Sequence, residues 1–441
     1  MLYAEIADMV ETKLGFVSQR AAREPESKFT SLMHLVNEGS LERSYYQLGR
    51  NRAGGVDGVS WEEYGREFEG NTKDLMERMK RMGYRPQPAR RVYIPKGKDK
   101  KRPLGLPAIE DKMVQRTMSR IMGAIYEEDF LNCSYGFRPG RGCHDALKEV
   151  GDLINFKPIN HVIEADIKGY FDNVSHKRIM ELIRVRIADE KFLRYIVRFL
   201  KSGYMEGEVL VKTGRGTPQG GNLSPMLANI YLHYVLDEWF EKEVKPRMEG
   251  QCYLVRYCDD FVILVQRKTE AAEIMKLVRK RFEEYELELN SEKTGVKSFG
   301  RYEEENAERQ QRKANTFDLL GFTHYCGKSR KGTFKVCRKT SAKKFRCACQ
   351  TMKEWLKAVR NFKVKGWWAT LILKLRGHYQ YYGISENIRS VKEFYYRVVR
   401  MVYKWLNRRS QKQSFNWAGF NVYLKRYPLP QPSIVHSFYP K

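Results

Sequence analysis

The middle of the chain contains the stretch YLVRYCDDFVILV, residues 253–265. Two short runs rich in β-branched and aromatic residues flank a tight polar turn, which predicts a β-hairpin with Asp259 and Asp260 at its tip. Two adjacent carboxylates beside apolar strands are costly, because like charges repel and both lose water. A divalent cation such as Mg²⁺, which prefers carboxylate oxygens and binds phosphate, removes that cost. An exposed Asp-Asp turn is the simpler interpretation of the pair alone.

A further carboxylate stands upstream in HVIEADI, residues 161–167. Side chains alternate between the two faces of a strand, so Val162, Glu164 and Asp166 are predicted to share one face. Asp166 lies at the predicted end of this strand. Beside the hairpin carboxylates it would help to hold two metal ions roughly 3.5–4 Å apart, the arrangement that clamps the attacking and leaving oxygens in phosphoryl transfer.

These two segments and TPQGGNLSP, residues 217–225, resemble the reverse transcriptases, in particular the group II intron-encoded type, also called maturases. The resemblance spans nearly the whole chain, although the family commonly has alanine where this chain has Cys258. It implies an α/β right-hand polymerase with fingers, an antiparallel-sheet palm and an all-helical thumb or maturase domain. It also implies two Mg²⁺ ions as cofactors, catalysis by Asp166, Asp259 and Asp260, and metal binding by these three residues and by Ile167, which can offer only its main chain.

The domain organisation follows from the same resemblance and from the composition of the segments. We expect a helical N-terminal extension over residues 1–80, fingers and palm over 81–327, and a basic helical thumb or maturase domain over 328–441. Residues 301–313 are charged and poor in apolar side chains, which predicts a surface loop.

The resemblance further implies a set of contacts to the incoming nucleotide. Two basic residues in a predicted fingers hairpin would face the triphosphate, an aromatic residue would exclude a 2′-hydroxyl, and two polar residues would contact the nucleotide and the leaving pyrophosphate. These residues are Lys96, Arg102, Phe171, Gln219 and Lys293. An ordinary core role for Phe171 and a solvated turn for Lys293 are the alternatives.

Positive charge is concentrated near the C-terminus. The chain carries a net charge of +28, and residues 331–441 hold 25 Lys or Arg against three Glu and no Asp, which is +22. Such an excess indicates a polyanionic partner, usually nucleic acid. A helix predicted over residues 391–408 has an apolar stripe, and its basic residues lie off that stripe, where basic and aromatic side chains together suit an RNA surface. The predicted RNA contacts are Arg138, Arg141, Arg397, Arg400 and Lys404.

Several protein classes are disfavoured by the sequence. The eight cysteines form no Cys-x-x-Cys pair, which argues against a zinc site or a disulfide framework. No run approaches the ~18 apolar residues that a membrane helix needs. We therefore expect a soluble cytoplasmic protein with no membrane partner. In a bacterium it would be found in the cytoplasm or the nucleoid.

The expected function is RNA-directed DNA polymerisation. The partners would be an RNA template, a DNA primer or target and deoxynucleoside triphosphates, together with a parent intron RNA whose splicing and mobility the protein assists. One alternative is an RNA-binding splicing cofactor in which the polymerase site is a relic. Another is a domesticated reverse transcriptase that acts in defence or DNA repair. The sequence leaves the oligomeric state open.

Overall fold

A computed structural model describes residues 2–95, 101–212, 214–217, 220–329, 331–409 and 414–439. Its helices are α1 (Leu2–Arg23), α2 (Glu38–Tyr46), α3 (Trp61–Arg66), α4 (Phe68–Lys80), α5 (Ile109–Asp129), α6 (Cys143–Phe156), α7 (Tyr170–Asn173), α8 (His176–Ile183), α9 (Glu190–Lys201), α10 (Ser224–Leu232), α11 (Lys268–Glu284), α12 (Glu303–Arg309), α13 (Ala342–Val359), α14 (Val364–Tyr382), α15 (Ile388–Leu406) and α16 (Trp417–Arg426). Its strands are β1 (Ala89–Pro95), β2 (Lys101–Leu106), β3 (His161–Asp166), β4 (Tyr204–Glu206), β5 (Val209–Val211), β6 (Cys252–Tyr257), β7 (Asp260–Val265), β8 (Gly295–Ser298), β9 (Phe317–Leu319), β10 (Phe322–Lys328) and β11 (Phe334–Thr340).

The centre of the molecule is a four-stranded sheet with the order β6-β7-β3-β8, which we call the palm sheet. Neighbouring strands in it are antiparallel throughout. The predicted hairpin is formed by β6 and β7, and the strand that carries Asp166 is β3, next to β7. The α/β architecture with an antiparallel palm sheet, expected from the sequence, is confirmed.

The two faces of the palm sheet pack against different cores. Ile163 and Ala165 belong to the larger core, which contains α5, α10 and α11, whereas Val162 belongs to a second core that contains α6 and β9–β11. Successive residues of β3 thus point to opposite sides, as a strand requires. Asp166 therefore lies on the side of the sheet that faces the second core, as the alternation predicted.

The segment predicted as an N-terminal extension packs into the larger core. Leu41 and Tyr45 of α2 are buried there with residues of α5. Arg186, which follows α8, donates to the main-chain oxygens of Ala21 at 3.2 Å and Ser27 at 2.9 Å, so its guanidinium fixes the end of α1. This segment and the fingers share one hydrophobic interior.

The predicted fingers strand pair is present as β1 and β2, which are antiparallel, in a sheet of order β2-β1-β4-β5. Lys96 belongs to the segment between them, which lies outside the described residues. Arg102 is an exposed residue of β2, opposite Ile94. Among the described residues, no helix is both long enough and apolar enough to cross a membrane.

The C-terminal region begins with a strand before its helices. β11 pairs along its whole length with β10, so the predicted boundary between residues 327 and 328 falls inside a hairpin. Helices α13, α14 and α15 then pack around a third core, which includes Leu371 and Val398. The predicted apolar stripe of the helix at 391–408 is buried in α15, at Val391, Phe394, Val398, Val402 and Trp405.

The prediction of a surface loop over residues 301–313 was wrong, because a short helix, α12, forms there. Glu303 is 2% exposed and binds Arg312 at 2.6 Å, and it also accepts from the amide of Asn315. The contacts of buried Glu303 with Arg312 and Asn315 stabilise this segment, although its composition alone predicts a solvent-exposed loop.

Candidate active site

The hairpin turn that carries the acidic pair has two residues. Tyr257 lies opposite Asp260 in the β6–β7 ladder, so Cys258 and Asp259 form the turn. Cys258 has a φ of 57°, in the left-handed region, where tight hairpin turns usually place glycine. A non-glycine residue held there marks a strained turn, and such strain is concentrated at functional sites.

The third carboxylate stands directly across from the hairpin. Asp166 is paired with Asp260 in the β3–β7 ladder. Opposite residues in antiparallel strands place their Cβ atoms about 4.5–5.5 Å apart on one face. The structure therefore brings Asp166 together with the Asp259–Asp260 pair, as the sequence predicted.

The main chain of Ile167 faces the same place. The amide of Asn290 donates to the Asp166 carbonyl at 2.8 Å, and the amide of Lys168 donates to the Glu288 carbonyl at 2.8 Å. These two bonds flank Ile167 on one edge of β3. Because the carbonyls of consecutive residues point to opposite edges of a strand, the carbonyl of Ile167 points toward β7 and the hairpin turn.

The surroundings of Asp260 in this group of three carboxylates disfavour its negative charge. Burial, followed by the neighbouring Asp259 and Asp166, raises the pKa of Asp260 to about 6. The Nζ atom of Lys293 lies 2.6 Å from Oδ2 of Asp166 and supplies part of the missing positive charge. The ionised form of Asp260 is thus disfavoured, and the site attracts a cation.

The donor set fits a hard divalent cation. Within the described part of the chain, no three His, Cys, Asp or Glu side chains are already arranged around a metal position, and the ammonium of Lys293 binds Asp166 instead. Three carboxylates and a main-chain carbonyl are nevertheless the oxygen ligands that Mg²⁺ prefers. A bound cation would also remove the repulsion that raises the pKa of Asp260.

Phe171 lies on α7, five residues after Asp166. It is half-buried, its ring meets that of Tyr170 edge-to-face at 5.5 Å, and its carbonyl accepts from the amide of Thr217 at 2.7 Å. The glycine-rich loop is therefore tied to the segment that follows β3. Gln219 of that loop lies outside the described residues.

The predicted RNA contact at Arg138 is wrong. Its side chain is 4% exposed and binds Glu127 at 2.9 Å and the carbonyls of Leu131 and Ser134. Because its donors serve internal acceptors, Arg138 holds the loop after α5 together and offers no surface to RNA. Arg141 is more accessible, although it also donates to Asn132.

The basic residues predicted on the helix at 391–408 are exposed. Arg397, Arg400 and Lys404 lie on α15 at intervals that place them on one side of the helix, away from the buried stripe. Arg397 pairs with Glu393 at 2.7 Å, one turn earlier. The surface is thus positive and accessible.

A buried polar group that sequence reasoning missed lies beneath the hairpin turn. Arg256 is fully buried and donates to Asp237 and to the carbonyl of Cys258, while Asn229 and Ser134 complete its surroundings. The signal was available, because an arginine within the otherwise apolar strand 252–257 needs a buried partner. The sequence does not indicate which residues supply that partner.

Comparisons with known proteins agree with this geometry. The family described as "Reverse transcriptase (RNA-dependent DNA polymerase)" matches residues 94–324, just over half of the chain. The chain belongs to the reverse transcriptase family. The matched residues include the whole palm sheet, and the α/β fold is that of a right-hand polymerase.

Relatives of this reverse transcriptase include intron-encoded proteins. It is 40% identical over 219 residues to the "Group II intron-encoded protein LtrA" of Lactococcus lactis subsp. cremoris, covering 49% of this chain and 36% of that protein. It is 33% identical over 310 residues to "Protein YkfC" of Escherichia coli, covering 63% and 81%. The match to LtrA therefore spans little more than a third of that relative.

Proposed function

We propose that the protein is an RNA-directed DNA polymerase that extends a 3′-hydroxyl primer on an RNA template with deoxynucleoside triphosphates. The observation that carries this proposal is the pairing of Asp166 with Asp260 beside Asp259, in a chain that belongs to the reverse transcriptase family. Catalysis of phosphoryl transfer consists mainly of positioning and of charge stabilisation, and this cluster supplies both.

The catalytic carboxylates would hold two Mg²⁺ ions, with the carbonyl of Ile167 as a further ligand. When bound, the ions lower the pKa of the primer hydroxyl and neutralise charge on the triphosphate. Asp166, Asp259 and Asp260 would hold and orient the ions. In the absence of metal, Lys293 is the counter-ion of Asp166. With a metal ion bound to Asp166, the ammonium of Lys293 would be available to the leaving pyrophosphate.

The nucleotide would be selected by residues around the carboxylates. Lys96 and Arg102 are assigned to the triphosphate, because an ammonium and a guanidinium both suit phosphate oxygens. Phe171 is assigned to the floor beneath the sugar, where its ring would exclude a 2′-hydroxyl. Gln219 is assigned to the nucleotide itself.

A groove between α13 and α14 is suited to the primer strand. It has a volume of about 360 Å³ and is lined by Lys344, Lys374 and His378 among others. Among the charges that act on Asp260 is the ammonium of Lys344, which opposes the rise in the pKa of that carboxyl. Two lysines on its walls would neutralise primer phosphates close to the reacting 3′ end.

The second proposed role is to bind a parent group II intron RNA and assist its splicing and mobility. Relatives carry the names of intron-encoded proteins and of a nuclear intron maturase. The net charge of +22 over residues 331–441 supports an RNA surface, with Arg397, Arg400 and Lys404 exposed on α15. Arg141 would add a contact from the palm side.

A splicing cofactor with a relic polymerase site is less well supported. Burial, and after it the neighbouring carboxylates, raise the pKa of Asp260, which means that its ionised form costs stability in the absence of a cation. A protein without polymerase chemistry gains nothing from that cost. A role in defence or repair would keep the same chemistry, and a search of the flanking DNA for a catalytic intron RNA separates it from the intron role.

The test is primer extension on an RNA template with the full chain and with the double variant Asp259→Asn, Asp260→Asn. The variant is expected to retain RNA affinity and to lose extension, because its amides cannot hold the cations. Extension by the variant at a rate near that of the wild type would refute the site. Absence of extension by the wild type, with RNA bound, would favour the cofactor role.

A further inference from the structure

The hairpin turn has a support on the side of the palm sheet opposite to the carboxylates. Arg256 of β6 lies across from Phe261, and Phe261 belongs to the larger core. Asp260 and Asp166 face the other core. The Arg256 side chain therefore lies beneath the catalytic turn, where the metal and the substrate cannot reach it.

Each nitrogen of the Arg256 guanidinium has an acceptor. Nε donates to Oδ1 of Asp237 at 2.7 Å, and Nη2 donates to Oδ2 of Asp237 at 2.5 Å and to Oγ of Ser134 at 2.7 Å. Nη1 donates to Oδ1 of Asn229 at 3.2 Å and to the carbonyl of Cys258 at 3.1 Å. We call Ser134, Asn229, Asp237 and Arg256 the Arg256 cluster; all four are at most 2% exposed.

Arg256 is held in its charged form. Burial opposes the charge on Arg256, but the ion pair with Asp237 raises the pKa of the guanidinium above its ordinary value. Asp237 lies on the π-helical turn His233–Asp237, which continues α10. Such turns are rare and frequent at functional sites, because they redirect a side chain out of the regular helical pattern.

The contact with Cys258 links this cluster to catalysis. The Cys258 carbonyl belongs to the peptide whose nitrogen is that of Asp259, so a bond to this oxygen sets the plane from which the Asp259 side chain projects. Cys258 also has the φ of 57° that disfavours a non-glycine residue. A fixed donor at its carbonyl opposes relaxation of the turn to another conformation.

A second contact holds the turn from the side. Nδ2 of Asn229 donates to the carbonyl of Gly136 at 2.6 Å. A Cβ atom on Gly136 would lie 2.6 Å from the nitrogen of Cys258 and would also collide with its Sγ atom. The glycine at 136 thus permits close packing against the catalytic turn, and the Arg256 cluster holds it there.

We propose that the Arg256 cluster positions Asp259 for metal binding by fixing the Cys258–Asp259 peptide. This inference rests on the proposed metal site at Asp166, Asp259 and Asp260. If the cluster served only to attach α10 to the palm sheet, its removal would lower stability and leave the metal affinity of the folded protein unchanged. Residues that orient metal ligands instead contribute roughly 10–100-fold to metal affinity or activity.

The decisive variant is the double substitution Asp237→Leu, Arg256→Met in the full chain. Replacing both members of a buried ion pair by apolar residues of similar size is often neutral or stabilising, whereas removal of one member leaves a buried charge. The variant is expected to unfold cooperatively and to bind Mn²⁺ roughly 10–100-fold more weakly, measured by electron paramagnetic resonance of free Mn²⁺ without nucleotide. Its kcat should fall with little change in the KM of the nucleotide.

The single substitution Arg256→Lys is a second, milder variant. An ammonium retains the charge opposite Asp237 but cannot reproduce the planar fork that also reaches Cys258 and Asn229. We expect weaker Mn²⁺ binding than in the wild type even though the charge pair remains. This variant decides the question if the double variant does not fold.

A matched control exists elsewhere in the chain. Buried Arg186 and partly buried Asp129 form another ion pair, at 2.9 Å, outside the carboxylate site. Asp129→Leu, Arg186→Met also removes the bonds from Arg186 to the carbonyls of Ala21 and Ser27, so it should lower the midpoint of thermal unfolding. It should leave Mn²⁺ affinity unchanged at a temperature where the protein is folded.

Two results separate failure of this inference from failure of the proposed function. Mn²⁺ affinity at the wild-type value in folded Arg256→Lys or in the folded double variant would overturn the positioning role. Unchanged Mn²⁺ affinity in Asp259→Asn would overturn the metal site itself, whatever Arg256 does.

Discussion

The charged side chains beneath the catalytic turn, Arg256 and Asp237, are buried and paired with each other, whereas the basic side chains Arg397, Arg400 and Lys404 of α15 are exposed. Arg256 has no exposed surface and touches acceptors from three separate segments, whereas Arg397 is exposed, with an ion pair to Glu393 on its own helix and the Phe345 ring of α13 beneath it. Buried charges must be satisfied in one geometry, so they fix atoms in place. Exposed charges keep their water and act through the total field, so individual residues can be exchanged. The predictions below test this contrast.

The largest effect is expected for Asp166→Asn, compared with Glu164→Gln on the same face of β3. Loss of a metal ligand should lower the rate of primer extension by roughly 10³-fold. Glu164 binds Lys297 at 2.5 Å and accepts from the amide of Asp318, so it holds β8 and β9 and lies outside the catalytic set. Single-turnover extension at saturating Mg²⁺ measures the rate of each variant. Equal losses of rate in the two variants would show that any lost carboxylate on this face of β3 impairs extension, and that Asp166 has no special role as a metal ligand.

RNA affinity should depend on the total positive charge of the α15 surface and not on any single residue. Replacing Arg397, Arg400 and Lys404 by Ala is expected to weaken RNA binding roughly tenfold and to reduce the slope of log K against log salt by about 2–3, because each phosphate contact contributes 0.7–0.9. Thermal stability should change little, since the three side chains are exposed. A filter-binding series in salt measures the slope.

The control for that prediction removes the same charge elsewhere. Arg66, Lys73 and Lys80 are exposed on α3 and α4. Their replacement by Ala should leave the salt slope nearly unchanged. Equal slopes for the two triple variants would mean that RNA senses net charge alone and that α15 is no special surface.

Phe171→Val should relax the exclusion of ribonucleotides, because the smaller side chain leaves room for a 2′-hydroxyl. A change of roughly tenfold in the ratio of ribo- to deoxynucleotide incorporation is expected, which is the range that one side-chain volume supplies. Tyr170→Phe is the control, since Tyr170 is buried and donates to the carbonyl of Ala228. An unaltered ratio in Phe171→Val would identify Phe171 as a core residue.

The smallest effect concerns stability without metal. The pKa of Asp260 is raised to about 6, so its ionisation destabilises the folded protein fully above pH 6 and progressively less as the pH falls toward 4. Asp260→Asn should therefore raise the free energy of unfolding by about 1–3 kcal/mol at pH 8 and by less at pH 5. Thermal unfolding in a chelator, with and without Mg²⁺, measures this.

The same measurement shows whether metal binding offsets the cost of the charge. Mg²⁺ should raise the unfolding temperature of the wild type more than that of Asp260→Asn. A variant that is no more stable than the wild type at pH 8 would show that the carboxylates do not repel one another in the folded protein.

The contrast between the two regions does not make them separable. β11 contributes Val336 and the C-terminal tail contributes Phe438 to the core that also contains Val262 and Leu264 of β7. The change in charge near residue 328 suggests truncation near Tyr325 as a way to remove the basic region. That truncation would cut the β10–β11 hairpin and remove part of the packing behind the catalytic strand. Substitutions on α15 therefore test RNA binding more cleanly than deletion does.

The sequence by itself determined the hairpin at 252–265, the face of β3 that carries Asp166 and the buried stripe of α15. These features depend on the periodicity of neighbouring side chains, which a strand or helix imposes locally. The sequence also predicted the concentration of basic charge near the C-terminus, because net charge is independent of the fold.

Only the tertiary structure decided which residues these charged side chains contact. The register that sets Asp166 opposite Asp260, the burial of Arg138, and the contact of Arg256 with Cys258 each join residues from separate segments or depend on how those segments pack. The sequence does not distinguish a basic residue that binds RNA from one that binds a buried acid. The difference arises from which segments exclude water around it, and that depends on long-range packing that no local pattern encodes.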